Sequence, residues 1–385
     1  MDRDDPWSAT ARGIHDALAA LREDGGSAEA AVATVVDVEG SAYRRPGAKL
    51  VAPADAETLG AVTAGCLDGP VNDLASAARS TGQSTVETFD LTSDDGEWGL
   101  GLGCNGVIDL LVEPLDDSFD ALVASLENQE SAAVLTVVDS DDPDVAVGDR
   151  TTLTADGEHQ GSDRPGLPAD ALADLRAAAE NARETGSSSV WTVQRAAGDL
   201  EVFVDGVEPA PELLVFGAEN DAGVVASFAA QAGFRVTVAC PRGARADDAA
   251  FPAAHRVVAA HPADLVDHVE AAERTYAVLM SHNLVDDQLA LETLLRETAV
   301  PYVGVMGPRE RFEELRDGLA ADGVTLSEPD LERVATPVGL DLGDGSPTGI
   351  ALSIVAEATA VANDRSGGRL RDASGPIHPR VDTAD

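Results

Sequence analysis

Leu213-Leu214-Val215-Phe216-Gly217-Ala218-Glu219-Asn220-Asp221 decides the fold: four apolar residues in a row, a glycine, and a polar turn opening a helical pattern over 221–232. An uninterrupted apolar run of this length, closed by glycine, reads as a strand buried on both faces, which is how strands of parallel sheets read. The texture repeats downstream, with strands predicted at 235–240, 257–260, 277–280 and 302–306, and helices at 263–272, 285–298 and 309–321. Strands alternating with helical crossovers predict a doubly wound parallel sheet, the Rossmann arrangement. An alanine-rich helix at 349–363 closes the pattern, and 365–385 reads as a mobile tail.

Upstream, Gly206-Val207-Glu208-Pro209-Ala210-Pro211 reads as a linker, so the chain divides into an N-terminal α+β domain at 1–208 and the Rossmann-like domain at 209–364. The whole is an α/β protein. The N-terminal part predicts helices at 7–22, 71–79, 116–127 and 169–184. Its strands are predicted at 30–38, 48–53, 59–64, 85–91, 107–112, 132–138, 189–194 and 201–204, with 139–149 as a surface loop. No internal repeat and no low-complexity tract stands out in the sequence.

Charge bounds the partners. The chain carries 69 acidic against 26 basic residues, a net −43 spread along its whole length. Such a coat repels itself in dilute buffer and is relieved in molar salt, where the Debye length is about 3 Å, so the composition predicts a halophilic protein. It excludes non-specific nucleic-acid binding, which needs a basic face. No apolar run approaches the roughly 20 residues that span a bilayer, and the N-terminal residues lack a signal-peptide pattern, so a cytoplasmic protein with no membrane partner is expected. Three cysteines, Cys66, Cys104 and Cys240, are too few for a disulfide framework.

Against this background the only lysine, Lys49, closes Gly40-Ser41-Ala42-Tyr43-Arg44-Arg45-Pro46-Gly47-Ala48-Lys49. Three cations within six residues form a local sink for an anion: arginine offers a bidentate fork to phosphate and lysine a point charge. The bland alternative is ordinary pairing with the surplus carboxylates. Two cysteines lie in glycine loops, Gly65-Cys66-Leu67-Asp68 and Gly101-Leu102-Gly103-Cys104-Asn105-Gly106. Glycine before each sulfur lets backbone N–H groups and the thiol meet one ligand, although small buried cysteines also simply fill tight turns. Neither loop holds the short-spaced ligand set of a structural zinc.

These blocks resemble the XdhC/CoxI family, accessory factors for xanthine dehydrogenase and related molybdenum hydroxylases. The similar stretches are 35–49, Ala64-Gly65-Cys66-Leu67-Asp68, the Cys104 loop, Val278-Leu279-Met280-Ser281-His282-Asn283, 302–309, Thr336-Pro337-Val338-Gly339-Leu340-Asp341 and 350–357. The resemblance implies a protein that binds the molybdenum cofactor (molybdopterin), supports its sulfuration and inserts it into an apo-xanthine dehydrogenase, with a cysteine desulfurase as second partner and a homodimer as a compatible assembly. It implies a maturation chaperone more than a turnover enzyme. Cys66 and Cys104 become the candidate reactive residues, with Cys66 the candidate molybdenum contact. Gly40, Ser41, Arg44, Arg45, Lys49, Gly65, Asp68 and Gly103 become candidate cofactor-binding residues.

In the Rossmann half the candidates are Gly217, Arg242, Ser281 and His282. Where the family has Gly-Ala-Gly, this chain has Gly217-Ala218-Glu219. A carboxylate there repels a pyrophosphate by about 4 kcal/mol per charge pair at roughly 4 Å and an effective dielectric near 20, more than the ~1 kcal/mol a helix dipole returns. NAD(P) binding is therefore expected to be weak or absent. Cys240-Pro241-Arg242 suits a 2′-phosphate, so an NADP-dependent oxidoreductase with a redox cysteine stands as the alternative, and a non-catalytic docking scaffold as the third reading.

Overall fold

The computed structural model describes residues 6–23, 30–92, 106–161, 164–372 and 374. Their contacts form two compact units that part between Pro209 and Ala210. Among the described residues no helix is long and apolar enough to cross a membrane.

The first unit runs α1 (Ala11–Glu23), β1 (Ala30–Gly40), β2 (Lys49–Pro53), β3 (Leu59–Gly60), α2 (Asp68–Thr81), β4 (Thr85–Asp90) and β5 (Gly106–Pro114). It continues with α3 (Asp120–Glu127), β6 (Ala132–Ser140), β7 (Arg150–Thr154), β8 (Gly157–His159), α4 (Ala169–Thr185), β9 (Ser188–Val193) and β10 (Leu200–Val207). Two antiparallel sheets result, ordered β3-β2-β1-β5-β4 and β8-β7-β6-β10-β9, the same order twice.

The match extends to single residues. Lys49 lies opposite Thr34 as Arg150 lies opposite Thr136, and Glu113 lies opposite Val32 as Asp205 lies opposite Val134. Each long pair carries a bulge at the corresponding place, at Val36 in β1 and Val138 in β6. The turns also agree: Gly47 N–H donates to Val35 O and Gly148 N–H to Val137 O, both at 2.9 Å. This half is therefore a structural duplication, which corrects the absence of a repeat at the sequence level. What is preserved is topology and register, and antiparallel pairing asks only for alternation of burial along each strand.

Burial explains the layering. Ala31, Ala33 and Leu110 of the first sheet pack with Val71 and Ala75 of α2, while Leu135, Val202 and Val204 of the second pack with Leu175 and Ala179 of α4. Between the sheets Val36, Leu111, Val138 and Phe203 form a shared cluster, and Ile14 and Leu18 of α1 meet Leu122 and Leu126 of α3 in another. Two buried ion pairs cross between the repeats, Lys49 with Asp205 and Arg150 with Glu113.

The second unit comprises β11 (Glu212–Phe216), α5 (Asn220–Gln231), β12 (Arg235–Cys240), β13 (Arg256–Ala259), β14 (Thr275–Leu279), α6 (Leu284–Glu297), β15 (Tyr302–Val305), α7 (Arg309–Ala321), α8 (Glu328–Glu332), β16 (Val334–Ala335) and α9 (Pro347–Ala362). Its sheet is parallel throughout, ordered β13-β12-β11-β14-β15-β16, the expected Rossmann arrangement. Alternate residues of the strands feed two cores. Leu213, Val215 and Val278 pack with Val225 of α5 and Ile354 of α9, and Leu214, Phe216 and Leu279 pack with Leu291 of α6 and Leu315 of α7.

Some local expectations are corrected. Residues 263–272 form 3-10 turns, Pro262–His268 and Ala272–Arg274, because the segment buries only Pro262 and Leu265 and has no stripe to hold an α-helix. The strand at 59–64 stops at Gly60, and further on Thr63 Oγ1 accepts the N–H groups of Gly65 and Leu67 and turns the chain toward α2. Strands β7 and β8 lie in a polar stretch that carries no strand pattern of its own. Val207 belongs to β10 rather than to the linker. The expected tail holds a 3-10 turn at Leu370–Asp372, and residues 375–385 lie outside the described residues.

Candidate functional site

The basic loop spans β1 and β2, and its three cations have different fates. Lys49, with a side chain 11% exposed, is ion-paired to Asp205, itself 5% exposed, and also donates to Gly47 O at 3.2 Å. The lone lysine is thus a buried clasp between the repeats, which corrects its reading as an open phosphate ligand. Nor is it an ordinary surface pair. Arg44 is half-buried and Arg45 exposed, and neither makes an ion pair with any described residue. Of the three cations, these two arginines are the ones left without an ion pair to a described residue. Gly47, at φ +89°, lies so close under Ser188 and Asp205 that an added Cβ would sit 2.8 Å from Ser188 Oγ.

Asp205 Oδ1 also accepts the Ser188 hydroxyl at 2.7 Å. Beside this cluster a cavity of about 260 Å³ opens, lined among others by His15, Arg44, Gly186, Ser188 and Glu208. Burial, and then the positive charge of Lys49, lowers the His15 pKa from 6.5 to about 4. The imidazole is neutral in the folded protein near neutral pH, while in the unfolded chain it takes up a proton near 6.5. Stability is therefore lost as pH falls from 6.5 to 4, at about 1.4 kcal/mol per pH unit, or roughly 3 kcal/mol in all. The unfolding free energy of His15→Gln, read from urea titrations, should gain on that of the wild type by this amount between pH 7 and pH 4, and parallel pH profiles would refute it.

Of the cysteine loops, Gly65, Cys66 and Asp68 lead into α2. Gly65 takes φ +105°, Cys66 is half-buried, and Asp68 is exposed in the first helical turn. Cys66 packs on the apolar cluster that Ala42 and Ala48 of the basic loop also touch, so the two motifs share one patch of core. Gly40 and Ser41 are exposed and meet Gly106, where a Cβ would sit 2.6 Å from Ser41 O. Gly103 and Cys104 lie outside the described residues, yet the chain re-enters at Gly106, two positions beyond Cys104.

In the second unit Gly217, Ser281 and His282 stand at the carboxyl ends of β11 and β14, where the strand order reverses. A Cβ on Gly217 would sit 2.7 Å from Met280 O, so close strand packing alone requires this glycine. The carboxylates of the acidic turn have partners: Glu219 pairs with Arg245 at 2.5 Å, and Asp221 is hydrogen-bonded to His282 Nε2 at 2.8 Å. Both pairs are substantially exposed and weak. They nonetheless qualify the repulsion expected from bare carboxylates. Arg242 pairs with Asp286 at 3.2 Å. Ser281 Oγ donates to Asp287 Oδ1 at 2.5 Å, and Asp287, 1% exposed, receives Arg311 at 2.7 Å, which fixes the loop. Cys240 is fully buried and burial pushes its thiol pKa up, so it packs rather than reacts.

Sequence reading missed His15, Ser188, Asp205 and Glu208. Asp205 is 156 residues from Lys49, and no local pattern marks it.

The fold and these loops define a two-unit α/β protein, a duplicated antiparallel unit with a glycine-cysteine turn followed by a Rossmann unit. The chain belongs to the XdhC/CoxI family: residues 16–90 match the XdhC and CoxI family model and 213–358 the XdhC Rossmann domain. It is 29% identical over 351 residues to a probable xanthine dehydrogenase subunit of Bacillus subtilis (strain 168), covering 89% of this chain and 96% of the relative. The uncharacterized protein YqeB of Escherichia coli (strain K12) is 26% identical over 183 residues, 47% of this chain and 32% of that protein. A crystal structure described as a xanthine dehydrogenase from Bacillus halodurans shares the fold with a TM-score of 0.72 at 24% identity, over 93% of this chain and 97% of the other.

Proposed function

We propose that this protein is an accessory factor that takes the molybdenum cofactor as cargo, supports its sulfuration in concert with a cysteine desulfurase, and delivers it to an apo-enzyme of the xanthine dehydrogenase type. The observation that carries this reading is membership of the XdhC/CoxI family with matches in both units. The donor chemistry suits the cargo. Arg44 and Arg45 are free of ion pairs to described residues and can neutralise a phosphate, and the half-buried Cys66 thiol is a soft ligand for molybdenum or sulfur. The Rossmann unit serves as scaffold, its switch-point residues tied to one another rather than held open for a dinucleotide.

The test is purification from molybdate-replete cells in molar salt, followed by mass spectrometry of released small molecules. A molybdopterin species at near-stoichiometric amount is expected, and the loaded protein should activate an apo-dehydrogenase. Protein free of pterin and inert toward the apo-enzyme would overturn the reading. Tight NADP(H) binding instead would favour the oxidoreductase alternative.

A further inference from the structure

The parallel sheet of the second unit is clothed unevenly. On one face α6 and α7 carry five and seven charged residues, whereas on the other α5 and α9 carry one each, Asp221 and Glu357. Neither of these two solvates its helix. Asp221 Oδ2 is hydrogen-bonded to His282 Nε2 at 2.8 Å, and the Glu357 carboxylate accepts the Tyr302 hydroxyl at 2.6 Å and the Gly339 N–H at 2.8 Å. The run 345–363 holds no other charge, in a chain of net −43. A helix so poor in charge needs cover on its outer side as well. Among the described residues that cover is incomplete. Leu352 on α9 is 46% exposed, Leu342 before it 48% and Leu370 after it 67%, three of the five large apolar side chains that stand exposed. The flanking segments fold back on α9: Leu340 N–H donates to Ser353 O at 3.2 Å, and Gly367 lies so near Leu340 that a Cβ would sit 2.7 Å from its Cδ2. The outer stripe of the helix reads Thr348, Leu352, Ala356, Thr359 and Asn363, none of them charged.

We propose that the outer face of α9 is a self-association surface, on which a second copy of this chain packs its own α9 antiparallel about a two-fold axis near Ala356. Such an interface must be complementary to itself, and this one is. Asp344 precedes α9 by three residues and Arg365 follows it by three; both are exposed, and Arg365 makes no ion pair with a described residue. Antiparallel apposition lays each Arg365 against Asp344 of the other copy and each Leu352 against Thr359, while the small Ala356 lets the helices close at the axis. A parallel pair would set like charges together at both ends. Chains of net −43 repel one another across their charged faces, so an uncharged face is where two copies can approach. The end pairs are exposed, and they set orientation more than affinity. The surface is independent of the cargo reading.

The experiment is sedimentation velocity on the full-length protein in molar KCl, with cross-linking beside it. A dimer at micromolar concentration is expected, its dissociation constant raised at least tenfold in both Leu352→Arg and Ala356→Arg, and raised also as KCl is lowered and the acidic coats lose their screening. Ala356→Cys barely alters the surface and should form an interchain disulfide with copper phenanthroline, above the wild-type level. Glu313→Cys, exposed on α7 across the sheet, should not. A wild-type monomer at these concentrations overturns the proposal. A dimer whose dissociation constant is unchanged in both arginine variants overturns it too, as does cross-linking through residue 313 and not through 356, since either result puts the interface elsewhere. Should an arginine variant fail to fold, as read by urea titration, the Ala356→Cys cross-link decides alone.

Discussion

Asp205→Ala is expected to destabilise the first unit by about 3–5 kcal/mol, because it leaves the Lys49 ammonium, 11% exposed, without its counter-charge. Removing both charges with packing retained, as in Lys49→Met with Asp205→Val, should recover most of the loss, since the desolvation of both ions then disappears together. The equivalent Glu113→Ala should cost more. Arg150 is 4% exposed, stacks on Phe119 at 4.1 Å and cannot shed its proton, whereas a stranded lysine can relax by deprotonating. All three tryptophans, Trp7, Trp98 and Trp191, fall at or before residue 209, so tryptophan fluorescence during urea unfolding in molar salt reads this unit. A loss below about 1 kcal/mol for Asp205→Ala, with no recovery in the double variant, would demote the clasp to a surface pair.

The clasp also shows where the sequence stops being legible. Five of the six Rossmann strands are readable because each is a local apolar run, and β11 with its glycine turn stands where that pattern puts it; β16, only Val334–Ala335, is too short to leave a pattern. In the first unit β1, β2, β5 and β6 are equally plain. Strand β7, Arg150-Thr151-Thr152-Leu153-Thr154, is polar in composition yet buried at four of its five positions, because Arg150 pairs with Glu113 and Thr136 and the Thr151 hydroxyl accepts the Leu167 N–H. Local hydropathy cannot register a polar strand whose partners come from another repeat. The same limit hides the duplication, which lives in register and bulge position, and hides the partner of Lys49. The cation cluster stands out in the sequence, but its division into one buried clasp and two open arginines depends on contacts 156 residues apart.

Cys66→Ala is expected to abolish activation of the apo-dehydrogenase while leaving the fold intact. The turn is held without the sulfur: Thr63 Oγ1 accepts the N–H groups of Gly65 at 3.3 Å and Leu67 at 3.4 Å, and Gly65 at φ +105° sets the direction. Because Cys66 is only half-buried, loss of its sulfur should cost no more than about 1 kcal/mol, visible as a small shift in the urea midpoint. Gly65→Ala makes the complementary case. It keeps the thiol but forces a Cβ into a backbone region that costs of order 1–3 kcal/mol, so activation should fall through misplacement of the sulfur. Cys240→Ala supplies the control, since that buried thiol is pushed toward its protonated form and packs in the Rossmann core. Loss of activation in Cys66→Ala and Gly65→Ala with Cys240→Ala unaffected would tie the chemistry to the turn before α2. Full activation by Cys66→Ala would instead shift the sulfur chemistry to Cys104, two positions before β5 begins at Gly106 beside Ser41.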